Sequence, residues 1–116
     1  MTNTHWNHVA HLDQLLPDLG GCVLVNDHQI ALFHLAGKVF ALDNYDPFSC
    51  ANVISRGLTG DLNGRLVVAS PVYKQHFDLE SGQCLEDENI RLNVYPVSVI
   101  DDQVYVCSTV LATEVA

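Results

Sequence analysis

The stretch that decides the architecture runs Arg65-Leu66-Val67-Val68-Ala69-Ser70-Pro71-Val72-Tyr73-Lys74-Gln75-His76-Phe77-Asp78-Leu79-Glu80-Ser81-Gly82. Arg65 to Ala69 is apolar and β-branched, as a strand is. Asn63-Gly64 before it is the strongest hairpin dipeptide in the chain, because both residues tolerate positive φ. Ser70-Pro71-Val72-Tyr73-Lys74 then departs from the strand at a proline and is longer than a hairpin needs. Gln75-His76-Phe77-Asp78 resumes the extended pattern, and Leu79-Glu80-Ser81-Gly82 turns the chain towards a further strand at Gln83-Cys84-Leu85. This reads as strand, long loop, strand and turn.

Outward from this segment the same rhythm continues in both directions. Cys22-Val23-Leu24-Val25 and Gln29-Ile30-Ala31-Leu32-Phe33 flank a tight turn at Asn26-Asp27-His28, and Ala36-Gly37-Lys38 leads into Val39-Phe40-Ala41-Leu42. Towards the end, Val97-Ser98-Val99-Ile100 and Gln103-Val104-Tyr105-Val106-Cys107 flank Asp101-Asp102. Only Leu12-Asp13-Gln14-Leu15-Leu16 has helical spacing, and Pro17 with Gly20-Gly21 stops it after a turn. Some ten short strands predict an all-β sandwich or small barrel. A second loop breaks the rhythm, Asn44-Tyr45-Asp46-Pro47-Phe48-Ser49-Cys50-Ala51-Asn52, running on to Arg56-Gly57. Two long loops on a rigid β scaffold are where function is expected.

The chain has 116 residues, of which 48% are hydrophobic. That suffices for one core and leaves no space for a second compact unit. One domain over residues 1–110 is expected, with 111–116 as a tail free to fray. Fourteen acidic residues against five basic ones give a net charge of −9, which repels a nucleic-acid backbone and an anionic membrane surface. No apolar run is long enough to span a bilayer, and Met1-Thr2-Asn3-Thr4-His5-Trp6 lacks the basic-then-apolar plan of a secretory signal. A cytoplasmic protein with four reduced thiols is the expectation. Cys22, Cys84 and Cys107 fall in strand patterns and are expected to pack as small hydrophobes. His5, His8, His11, His28 and His34 read as exposed polar residues, and His76 as structural.

The paired loops resemble the Rieske family, in which a strand ending in Asn-x leads to Cys-Pro-His. A later strand there leads to Cys-Pro-x-His-Gly, and Phe-Asp-Leu-x-x-Gly follows. This chain has Asn44-Tyr45 before Asp46-Pro47-Phe48, and Ser70-Pro71-Val72-Tyr73-Lys74 before Phe77-Asp78-Leu79-Glu80-Ser81-Gly82. The resemblance covers the chain from Trp6 to Cys107 and implies a Rieske-like β-sandwich. A Rieske [2Fe–2S] centre takes two thiolates on one iron and two imidazoles on the other. At the four matching positions stand Asp46, Phe48, Ser70 and Tyr73, which cannot supply them. No cofactor and no metal is therefore expected in this chain. Cys50, His76 and Cys84 lack the short spacing of a rebuilt metal site. No catalytic constellation stands out.

Within that frame, Asn44-Tyr45-Asp46-Pro47-Phe48, Val53-Ile54-Ser55-Arg56-Gly57-Leu58, Val68-Ala69-Ser70-Pro71, Gln75-His76-Phe77-Asp78-Leu79 and Cys84-Leu85-Glu86-Asp87-Glu88 resemble the small subunit of assimilatory NADH-dependent nitrite reductase. The resemblance implies a cluster-free accessory subunit. Its partner would be a large catalytic subunit carrying FAD, a [4Fe–4S] cluster and sirohaem, which reduces nitrite to ammonium. A stand-alone Rieske-fold binding module, or a degenerate ferredoxin component of an oxygenase, is the alternative. Two structural expectations follow for the loops. Asp46 and Ser70 are placed to hydrogen-bond across them. Phe48 and Tyr73 either dock the partner at the tip or fold inward and fill the space of the cluster.

Overall fold

A computed structural model describes residues 6–17 and 19–108. The expected tail over 111–116, and His5, lie outside the described residues. Twelve strands are present among them: β1 (Trp6–His11), β2 (Gly20–Val25), β3 (His28–Leu35), β4 (Lys38–Asp43), β5 (Tyr45–Asp46), β6 (Ala51–Asn52), β7 (Leu58–Leu62), β8 (Arg65–Ala69), β9 (His76–Asp78), β10 (Val94–Tyr95), β11 (Val97–Ile100) and β12 (Gln103–Cys107). The helical turn expected after His11 is a short 3-10 helix, Leu12–Gln14, and a second covers Ile54–Arg56.

Four two-residue hairpins set the topology. Asn26-Asp27, Ala36-Gly37, Asn63-Gly64 and Asp101-Asp102 all have positive φ at both residues. That is the turn whose twist matches the right-handed twist of the strands it joins. The strands assemble into sheets in the orders β10-β4-β3-β2, β1-β12-β11 and β7-β8-β9, with β5 and β6 as a separate short pair. Every one of these pairings is antiparallel.

The first of these sheets lies in the middle. Along β3, Ala31 and Phe33 join a core with Phe40, Ile54, Val68, Phe77 and Leu79, while Ile30 and Leu32 join one with Ala10, Val25, Val104 and Val106. Successive side chains of a strand point to opposite faces, so a strand covered on both sides must be apolar without alternation. This is why Ile30-Ala31-Leu32-Phe33 reads as an unbroken apolar run. Among the described residues no helix is long and apolar enough to cross a membrane.

The structure departs from the sequence expectations at several points. Gln83-Cys84-Leu85 forms only isolated bridges, Phe77 to Cys84 and Gln83 to Arg91. The Gln83 side-chain amide is turned instead to the carbonyls of Cys84, Asp87, Glu88 and Ile90, which organise an irregular segment. β7 contains Gly60 and Asp61, poor strand formers, and is held by its hairpin register, Leu62 opposite Arg65 through Leu58 opposite Ala69. Cys22 is exposed and not buried, because β2 pairs with β3 alone and turns Cys22 and Leu24 outward. Cys84 is buried as expected, and all four thiols are free. His34 is half-buried, its ring nitrogen 3.3 Å from the Leu15 carbonyl.

Gly82 closes the turn after Phe77-Asp78-Leu79 with φ +80, and a Cβ there would collide with the Leu92 carbonyl. Gly82→Ala is therefore expected to cost about 2 kcal/mol, from left-handed strain plus displacement of the Leu92 backbone. The midpoint of urea unfolding checks it.

Candidate functional site

The two long loops share one construction. Each starts at a buried polar residue followed by a proline, Asp46-Pro47 and Ser70-Pro71. In each, the carbonyl of that residue accepts from the amide four positions on, Cys50 N to Asp46 O at 2.8 Å and Lys74 N to Ser70 O at 3.1 Å. Cys50 and Lys74 both sit at positive φ, which ends each turn in the same way. In each, the side chain of the first residue accepts from the amide two positions on, Phe48 N to Asp46 Oδ1 at 2.9 Å and Val72 N to Ser70 Oγ at 3.3 Å. The loops are two copies of one turn, facing each other.

They are joined where the turns begin. Ser70 Oγ donates to Asp46 Oδ2 at 2.5 Å, and Ser49 Oγ donates to the same oxygen at 2.9 Å. Both Asp46 and Ser70 are fully buried. The Asp46 carboxyl thus receives three donors from both loops, the condition under which such a group can stay out of water. The hydrogen bond expected from the sequence is present.

Loop one has a further hub that sequence reasoning did not single out. The buried Asn44 accepts from Ser55 N at 2.7 Å and donates to Gln29 Oε1 at 3.0 Å and Asn52 O at 3.2 Å. Only the register of β3 and β4 puts Gln29 beside it, so the role is not visible in local sequence. The second loop is fixed at its base by His76. Its amide donates to Glu86 Oε1 at 2.7 Å, and its ring nitrogen lies 2.6 Å from Glu86 Oε2.

Burial raises the Glu86 pKa, but the His76 amide and ring outweigh it and hold it below its ordinary 4.5. A carboxyl depressed on folding adds stability that is fully present above its unfolded value and lost as the pH falls through its folded one. Glu86→Gln is therefore expected to lower stability at neutral pH by less than about 1 kcal/mol, since the pair is half-exposed. That difference should shrink to nothing below the carboxylate range, read from urea midpoints between about pH 7 and about pH 3.

The two aromatic residues take opposite directions. Phe48 is half-buried against the core, its ring centroid 6.2 Å from that of the fully buried Phe77. Tyr73 projects outward, 60% exposed. The four residues at the cluster positions do not fit a [2Fe–2S] group. Phe48 has no donor atom, Tyr73 points away, and the Asp46 and Ser70 oxygens are committed to one another. Among the described residues, no three His, Cys, Asp or Glu side chains are arranged to hold a metal ion.

Residues 5–107 match the family model for a Rieske-like [2Fe–2S] domain. The nitrite reductase (NADH) small subunit of Escherichia coli K12 is 41% identical over 100 residues, which cover 84% of this chain and 93% of that protein. The chain belongs to the nitrite reductase small-subunit family. The solution structure of a nitrite reductase [NAD(P)H] small subunit from Erwinia carotovora superposes on it with a TM-score of 0.76 at 38% identity. The match covers 98% of this chain and 92% of that one. A nitrite reductase [NAD(P)H] large subunit from Klebsiella oxytoca contains a segment 39% identical over 101 residues, covering 87% of this chain but only 11% of that protein. The small-subunit fold therefore occurs both as a separate chain and as a segment of a large one.

Proposed function

We propose that this chain is the small accessory subunit of a nitrite reductase [NAD(P)H], and that it acts by binding the large catalytic subunit and carries no electrons itself. One observation carries the reading: the same unit is a separate small subunit in Escherichia coli and part of the large chain in Klebsiella oxytoca. A unit that is tolerated in both arrangements is one that works while held against the large subunit. The donor set supports a role without electron transfer, because the positions of the two thiolates and two imidazoles hold Asp46, Ser70, Phe48 and Tyr73.

In this reading FAD, the [4Fe–4S] cluster and sirohaem reside in the large subunit, and the six-electron reduction of nitrite to ammonium takes place there. The complex is cytoplasmic, and the net charge of −9 argues against nucleic acid or an anionic membrane as the partner. Residues 1–110 form one domain. Tyr73 is the docking residue at the loop tip, and Phe48 fills the space beneath it.

Affinity purification of the tagged chain from its own cells grown on nitrite tests the reading. The expected eluate reduces nitrite with NADH and shows the visible absorbance of sirohaem. A colourless, inactive eluate would overturn the reading and put a stand-alone binding module or an oxygenase ferredoxin component ahead of it.

A further inference from the structure

β1 is not a regular strand. It pairs with β12 from Trp6 opposite Cys107 to His8 opposite Tyr105, then resumes with Ala10 opposite Val104 and His11 opposite Gln103. Val9 has no counterpart in that ladder, so one extra residue is taken up between His8 and Ala10 as a bulge. In a regular strand His8 and His11, three positions apart, would point to opposite faces. The bulge turns them to the same one, because their partners Tyr105 and Gln103 are two apart on β12 and flank the fully buried Val104. Val9 and Ala10 meanwhile both pack towards the core. The two histidines therefore hold neighbouring positions on the outer face of the sheet, about 7 Å apart along the strand.

Each ring has one nitrogen engaged by an oxygen. Nε2 of His8 lies 2.6 Å from Gln103 Oε1, which can only accept, so the ring proton sits there and Nδ1 keeps its lone pair. Nδ1 of His11 is 3.1 Å from the Asp13 amide and 3.5 Å from Asp13 Oδ2. An ion bound at Nε2 of His11 moves that ring's proton to Nδ1, where the Asp13 carboxylate is at hand to accept it. An imidazole whose second nitrogen donates to a carboxylate or carbonyl oxygen is oriented as metal-ligating histidines are. Both side chains reach solvent. Asp101 and Asp102 form the turn before Gln103, and the Asp102 carbonyl accepts from Leu12 N at 2.7 Å, so acidic residues surround this end of β1 and favour a cation.

We infer that His8 and His11, brought to one face by the bulge at Val9, form a two-imidazole surface site for a divalent transition-metal ion of the zinc, nickel and copper class. Imidazole suits these ions, and water completes their coordination where the protein supplies only two ligands. Such an ion is exchangeable, unlike one closed in by three or four side chains. The site lies on the outer face of the sheet formed by β1, β12 and β11 and uses none of the four cluster positions, Asp46, Phe48, Ser70 and Tyr73. It goes beyond the reading of this chain as an accessory subunit and does not depend on it.

The test titrates Ni²⁺ alone into the tag-free full-length chain, followed by calorimetry and by the amide signals of its NMR spectrum. The wild-type chain is expected to saturate with a dissociation constant below about 100 μM. Sub-stoichiometric Ni²⁺, being paramagnetic, should broaden the signals of β1 and β12 before those near the exposed thiols Cys22 and Cys50. His8→Gln and His11→Gln are each expected to weaken binding at least about tenfold, because each leaves a single imidazole. His28→Gln with His34→Gln removes two imidazoles elsewhere and should change affinity less than about twofold. Melting without metal checks that every variant is folded, which the exposed positions of His8 and His11 favour. No saturation of the wild-type chain up to about 1 mM would overturn the site. So would broadening centred on Cys22 or Cys50, or equal weakening by the two pairs of substitutions.

Discussion

Asp46→Ala is expected to lower the stability of the isolated chain by about 3–4 kcal/mol, the largest effect of any single change at the loops. The carboxyl is fully buried and is the acceptor for Phe48 N, Ser49 Oγ and Ser70 Oγ. Its removal leaves those donors together in a space water cannot easily enter, at roughly 1–3 kcal/mol for each that finds no substitute. Partial rearrangement of Ser49, which is only half-buried, keeps the sum below three full penalties. Ser70→Ala removes one donor and the acceptor for Val72 N, and should cost about 1.5–3 kcal/mol. Both are read as free energies of urea unfolding with unchanged slope. A loss below about 1 kcal/mol for Asp46→Ala would mean that the loops are held by their own turns and not by the bond between them.

Phe48→Ala and Tyr73→Ala are expected to separate cleanly. The Phe48 ring packs on Phe77 and reaches the core that includes Leu79 and Ile54, so its loss should cost about 2–3 kcal/mol of stability. A fully buried phenylalanine costs more, and the half-exposed position of Phe48 sets the lower figure. Tyr73 projects from the second loop and has little to lose in the free chain. At the centre of an interface a tyrosine is worth about 2 kcal/mol or more, a weakening of roughly thirtyfold in affinity for the large subunit. Thermal melting of the free variants and binding to the large subunit read the two effects separately. Lost stability for Tyr73→Ala with intact binding would contradict the division of roles.

Much of this was legible in the sequence, for identifiable reasons. Asn63-Gly64 and Asp101-Asp102 announce their hairpins because positive φ is a property of single residues. The Asp46–Ser70 bond could be anticipated because the prolines after both residues fix the two loops in register with a known frame. What escaped depends on partners distant in sequence. The pairing of β1 with β12 joins Trp6 to Cys107, and nothing local marks it. The irregular segment after Gln83 is set by one amide among four carbonyls, whereas its composition reads as a strand. The aromatic replacements Phe48 and Tyr73 look equivalent along the chain. The difference between them lies in Phe77, which sits under Phe48 and not under Tyr73.

Titration calorimetry of verified iron-free chain against the purified large nitrite reductase subunit tests whether this chain binds without a cluster. Saturable binding without iron in this chain is the predicted result, since the bond between Asp46 and Ser70 does the joining that a cluster would otherwise do. Absence of binding up to about 100 μM, or binding that appears only after iron–sulfur reconstitution of this chain, would contradict it.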